Sequence, residues 1–207
     1  VQQRQYAGAT IQLKNVLQQN QSSAEARFLL ATVLIETGEL GAADTELRKA
    51  RAQGQPDVDV VPALARVMIA MGEPKKVIAE FESVTLNDVA ADADLGTSLA
   101  KAYAETGEKD KSWAKVGAVL RAKPDYSPAV LLQARAMADK LGPEAALQQL
   151  QAAGPALDKS AEAAHLRGNI KLNGKQDIPG AIKEFQQSLA LDARYVPAHV
   201  SLIALYL

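Results

Sequence analysis

The chain has 207 residues, 48% of them hydrophobic and only 4% aromatic, with 23 Lys and Arg against 24 Asp and Glu. That balance excludes a global field able to hold nucleic acid or an anionic membrane. The absence of cysteine excludes disulfides, thiolate metal sites and thiol nucleophiles. Abundant alanine with few aromatics favours helices that pack closely through small side chains, and no stretch alternates β-branched residues as a strand would.

In chain order, residues 1–22 predict one helix with Ala9, Leu13 and Val16 on a single stripe. Residues 23–56 predict two helices: the first carries Leu30, Ala31 and Leu34, the turn is ETGEL (36–40), and the second carries Ala43, Leu47 and Ala50. Residues 57–92 repeat the plan with Leu64, Ala65 and Met68, the turn AMGEP (70–74), then Val77, Phe81 and Val84. Residues 93–126 repeat it again with Leu99, Ala100 and Tyr103, the turn ETGEK (105–109), then Ser112, Val116 and Val119. Residues 127–160 place Ala146, Leu150 and Ala153 on the second helix, and residues 161–195 place Ala181, Phe185 and Ser188 there, after extra residues in GKQDIPG (174–180). Residues 196–207, VPAHVSLIALYL, predict a lone first helix.

The small position of the second helix, Ala9, Ala43, Val77, Ser112, Ala146 and Ala181, recurs at spacings of 34, 34, 35, 34 and 35. Across the three stripe positions 16 of 18 residues are apolar, against about nine expected at random in a chain that is 48% hydrophobic. Gly38, Gly72 and Gly107 can take the left-handed conformation that ends the first helix. Pro74, Pro143 and Pro179 open the second helix, where a missing N–H costs nothing, and Pro128 and Pro197 enter the first turn of the following unit. A hairpin of this kind cannot bury its stripe alone, so stability must come from stacked neighbours.

Period, hairpin and order of small and large residues resemble the tetratricopeptide repeat family across essentially the whole chain. The resemblance implies an all-α fold, a right-handed α-solenoid superhelix of helix-turn-helix hairpins with a concave groove. The chain stops on Leu202, Ile203, Leu205, Tyr206 and Leu207 rather than on a polar cap, which reads as a fragment of a longer array with adhesive ends and a tendency to end-to-end self-association.

No catalytic pattern accompanies the repeat, and the chain reads as a non-enzyme without cofactor or metal. His165 and His199 lie one period apart, without HExxH spacing. Glycines fall at turns and never form a phosphate loop, and no GxSxG is present. Trp113 reads as packing, and the clusters Arg48, Lys49, Arg51 and Lys109, Lys111, Lys115 read as solvated faces.

The family resemblance implies that the ninth residue of each first helix faces the groove: Thr32, Arg66, Lys101, Arg135 and Asn169. Three cations and an amide in line suit an acidic or extended polar peptide or protein, although Glu105 and Asp139 stand where they could neutralise Lys101 and Arg135 within one helix. The fifth residues, Phe28, Pro62, Thr97, Leu131 and His165, would share the groove and are mostly apolar. They depart from the basic residues of chaperone-tail-binding members, so mixed apolar and charged contacts are expected instead.

The phrases IQLKNVLQQNQSSAEARFLLATVLIETGEL (11–40), ELRKARAQG (46–54) and HLRGNIKL (165–172) resemble the repeat lipoproteins encoded with bacterial PEP-CTERM and exopolysaccharide systems. That resemblance implies an exported, periplasmic, lipid-anchored protein that holds partners during envelope assembly, with no membrane contact by these 207 residues. Two other readings stay open: a glycan-binding accessory of polysaccharide export, and the regulatory portion of a larger enzyme.

Overall fold

The computed structural model describes residues 2–206, so Val1 and Leu207 lie outside it. Every regular element among the described residues is a helix. Two compact units divide the chain at residues 115 and 116.

Unit 1 holds α1 (Gln2–Gln19), α2 (Ala24–Glu36), α3 (Leu40–Ala52), α4 (Asp57–Ala70), α5 (Pro74–Phe81), α6 (Val89–Glu105) and the start of α7 (Lys109–Ala122). Successive helices pack as hairpins, α2 on α3 and α4 on α5, with α4 also against α6. The expected stripes are the core. Leu30, Ala31, Leu34, Leu64, Ala65, Met68, Leu99, Ala100 and Tyr103 are buried on the first helices, and Ala43, Leu47, Val77 and Phe81 are wholly inaccessible on the second.

The recurring turn has one construction. Gly38, Gly72 and Gly107 have φ of 81°, 74° and 86°. At each, the amide after the glycine reaches six residues' span back into the helix: Glu39 N to Leu34 O at 2.8 Å, Glu73 N to Met68 O at 2.9 Å, Glu108 N to Tyr103 O at 2.8 Å. The glycine amide closes the inner bond to Ile35, Ile69 or Ala104. This Schellman pair satisfies carbonyls the helix end would leave open. The threonine of each ETGE turn holds the glutamate that follows, with Thr37 Oγ1 and Thr106 Oγ1 each 3.1 Å from a carboxylate oxygen of Glu39 and Glu108.

One second helix departs from expectation. α5 ends at Phe81, so Val84 lies beyond it, and α6 opens at Val89 with Asp88 accepting from Ala91 N as its cap. The connection between them is pinned at both ends. Glu82 Oε1 accepts from the Tyr103 hydroxyl at 2.5 Å, and Asp92 Oδ1 accepts from Leu86 N at 3.0 Å. Burial first and the Glu82 bond second push the Tyr103 phenol up to about 12, so it stays a donor across the physiological range.

Unit 2 holds the rest of α7, then α8 (Ser127–Lys140), α9 (Pro143–Ala152), α10 (Pro155–Asp158), α11 (Ala161–Lys175), α12 (Ile178–Leu191) and α13 (Val196–Tyr206). The four-residue α10 is an addition that the repeat did not foretell, and it buries Leu157 beside Leu150 and Leu166. A second cluster joins Ala181, Phe185 and Ala198, with Leu202 and Leu205 packed on it. Val196, Val200, Ile203 and Tyr206, on the other side of α13, are exposed.

Candidate partner-binding surfaces

An α-helix turns by 3.6 residues, so a position one residue past the buried small residue of each first helix leaves the core. Thr32 follows buried Ala31, Arg66 follows Ala65 and Lys101 follows Ala100; all three are exposed. In unit 2 exposed Arg135 follows buried Ala134, and half-buried Asn169 follows buried Gly168. Each ninth position therefore reaches solvent from a rigid helix, within its own unit.

Their surroundings differ. Thr32 Oγ1 donates back along its own helix to Phe28 O at 3.1 Å, and Phe28 is half-buried. Arg66 forms an ion pair with Asp94 of α6, the next first helix, so that its charge is offset by a carboxylate on a neighbouring element rather than on its own. Among the described residues no ion pair joins Lys101 to Glu105 or Arg135 to Asp139. Asp94 went unnoticed in the sequence because a pairing 28 residues apart has no local spacing to announce it.

The fifth positions are mostly not surface. Pro62, Thr97 and Leu131 are buried, and Thr97 Oγ1 donates to Ala93 O at 2.7 Å. Only Phe28 and His165 remain partly open, which corrects the expectation that the set as a whole would share a binding surface. α6 begins early enough to carry Thr97 into its buried middle, and Pro62 sits within the continuous apolar run of α4.

In unit 2 the ring of His165 lies 5.3 Å from Phe185 and 5.6 Å from Tyr195, centroid to centroid. Its Nε2 is 3.0 Å from Ser201 Oγ and its Nδ1 is 3.4 Å from Asn169 Nδ2. Burial first, then the Arg135 charge, hold the imidazole below its ordinary pKa, against a smaller opposing pull from Glu162. The basic cluster of α3 is a braced network: Arg48 bonds Asp44 and Glu80, and Arg51 bonds Asp57.

Among the described residues no group of three or more His, Asp or Glu could hold a metal ion. No described helix is long and apolar enough to cross a membrane.

Residues 1–66 match the family model described as Tetratricopeptide repeat. A search of curated proteins found no match. Among solved structures, the thermophilic TPR protein TTC0263 from Thermus thermophilus is 17% identical with a TM-score of 0.72, covering 89% of this chain and 99% of its own. A tetratricopeptide repeat protein from Parabacteroides merdae ATCC 43184 is 14% identical with a TM-score of 0.76, covering 99% and 78%. YrrB, described as a TPR protein with an unusual peptide-binding site, is 14% identical with a TM-score of 0.51, covering 91% and 96%. At these identities the likeness is one of fold.

Proposed function

We propose that this chain, a tetratricopeptide-repeat protein by its first 66 residues and by its fold, is a non-catalytic scaffold that binds a peptide or protein partner in bacterial PEP-CTERM envelope and exopolysaccharide assembly. The observation that carries the binding reading is the position of Thr32, Arg66, Lys101, Arg135 and Asn169. Each reaches solvent immediately beside a buried small residue, so a polar group is presented from a helix that cannot move without opening the core. Phe28 adds a half-buried apolar contact beside Thr32. The solved relative with a peptide-binding site, YrrB, supports the reading by its fold. An acidic partner suits Lys101 and Arg135 best, because Arg66 is already engaged by Asp94.

A peptide array of varied acidic and neutral decapeptides, with hits measured by fluorescence anisotropy, tests this. Lys101→Glu and Arg135→Glu should each weaken an acidic hit by about tenfold, the scale of a lost charge-assisted contact, with Arg66→Glu milder. Hits indifferent to all three reversals would overturn the assignment of these residues. Saturable binding of an acidic oligosaccharide with no peptide hit would replace the peptide reading by a glycan one.

A further inference from the structure

His165 has both ring nitrogens engaged by side chains, Nδ1 by Asn169 and Nε2 by Ser201, and the Pro197 backbone also bonds the ring. The Asn169 amide Nδ2 donates to Nδ1 at 3.4 Å, which requires Nδ1 to be without a proton. The neutral ring therefore carries its hydrogen on Nε2 and donates it to Ser201 Oγ of α13, 3.0 Å away. With its nitrogen turned to the ring, Asn169 presents its oxygen as the other end of the carboxamide.

We propose that protonation of His165 reverses the Asn169 carboxamide and converts the surface around Arg135 and Asn169 into one selective for carboxylate-bearing peptides. This rests on the partner-binding reading above and adds its regulation. A proton taken from solvent onto Nδ1 makes that nitrogen a donor, which cannot face another donor. Rotation about the terminal torsion of Asn169, which has broad and nearly two-fold minima, brings Oδ1 to the ring and turns Nδ2 away from it. An acceptor that repels a carboxylate becomes a donor that binds one, and a second positive charge appears near Arg135.

The groups facing the ring set the threshold. Arg135 of α8 opposes the proton, Glu162 of α11 and the Pro197 backbone of α13 favour it, Tyr195 lies in the turn before α13, and Phe185 of α12 and Ser201 of α13 bring no charge. Burial also opposes it, so the ring is neutral near pH 7. A carboxylate bound at Arg135 would cancel the opposing charge, and by linkage the anion and the proton must then each tighten the binding of the other.

Two measurements separate this from the partner-binding reading. In the free protein, the side-chain amide signals of Asn169 followed by NMR should shift with the midpoint of the His165 ring. A His165 titration that leaves Asn169 unmoved overturns the inference whatever the protein binds. A short polyaspartate peptide, ionised throughout, should then bind on the order of tenfold tighter at about pH 5.5 than at about pH 7.5 at constant ionic strength. The gain should vanish in His165→Gln and persist in His199→Gln. Equal affinity at both pH values would overturn the switch and leave the partner-binding reading standing. No binding at either pH, with Asn169 still following His165, would overturn both the carboxylate selectivity and the peptide reading for this surface.

Discussion

Two hydroxyls interrupt the apolar phase of the second helices, and each is satisfied by a carbonyl of a first helix. Ser112 Oγ donates to Ala100 O and Ser188 Oγ to Ala161 O, both at 2.7 Å. The polar exceptions thus cost no unpaired buried group. Ser112→Ala should cost only about 1 kcal/mol in urea denaturation, because the Ala100 carbonyl lies within α6 and keeps its helical bond. A larger loss would mean that the hydroxyl does more than replace a methyl. Turn residues behave differently. Gln176 ends α11 at φ 52°, with its own N and Asp177 N both bonded to Lys171 O, a wider closure than the Schellman pair that Gly38 makes with no side chain to strain. Gln176→Gly should therefore stabilise unit 2 by about 0.5–1 kcal/mol, by analogy with other left-handed sites, and Gly38→Ala should cost about as much. The Gly-Glu turns could be read from the sequence because glycine is the residue that the left-handed conformation favours. Gln176 could not, because it falls in the extra residues of GKQDIPG, where the left-handed site carries no glycine to announce it.

At the scale of the helix, close crossings decide. A Cβ on Gly168 would stand 2.4 Å from the Phe185 ring, which has no accessible surface. Gly168→Ala gains about 1 kcal/mol of helix propensity but forces a locked ring aside, an overpacking cost of about 1–3 kcal/mol. A net loss is expected, with Gly168→Ala combined with Phe185→Leu recovering part of it in a double-mutant cycle. The same hairpin is held across its polar edge by Arg167 and Lys171, 2.9 and 2.7 Å from Glu184. Burial raises the Glu184 pKa, yet these bonds outweigh it and leave the carboxyl below its ordinary value. His165 is also depressed, so at intermediate pH the unfolded chain binds more protons than the folded one. Stability of unit 2 should thus be full above about pH 7, fall first as the unfolded histidine protonates near pH 6.5, and fall again below about pH 4.5 as Glu184 is neutralised. Urea midpoints across that range, with His165→Gln removing the first step alone, check the sign. Small and large stripe positions were legible because one period governs them all. The cross-braces were less so. Glu46, Glu80, Gln149 and Glu184 share one phase of the second helix, and Gln133 and Arg167 share one phase of the first, but Arg27 reaches Glu46 from another phase of a first helix and Arg48 reaches Glu80 from a neighbouring second helix. The candidate surface was legible in the same measure: the exposed ninth positions follow the helical period, whereas Asp94, Ser201 and the burial of Thr97 depend on neighbours that no local spacing reveals.

Across the whole molecule, each unit has a core of its own: Leu64, Met68, Phe81 and Leu99 in the first, Leu150, Leu157, Leu166 and Ile170 in the second. In a repeat protein, stability is a sum of intrinsic and nearest-neighbour terms, so damage spreads only as far as the interfaces it touches. Gly168→Val places two methyls against Phe185 and should loosen the α11–α12 hairpin by about 2 kcal/mol. Hydrogen exchange converts that loss into a rate: amides of Leu166, Ile170 and Phe185 should exchange on the order of 30-fold faster. Amides of Leu64, Met68 and Leu99, buried in the other unit, should keep the wild-type rate. The proposed scaffold depends on this locality, since a partner gripped at Lys101 would otherwise be released by any disturbance near Asn169. A uniform acceleration through both units would instead show that the chain opens as one cooperative body, and the repeat would no longer set the scale of its stability.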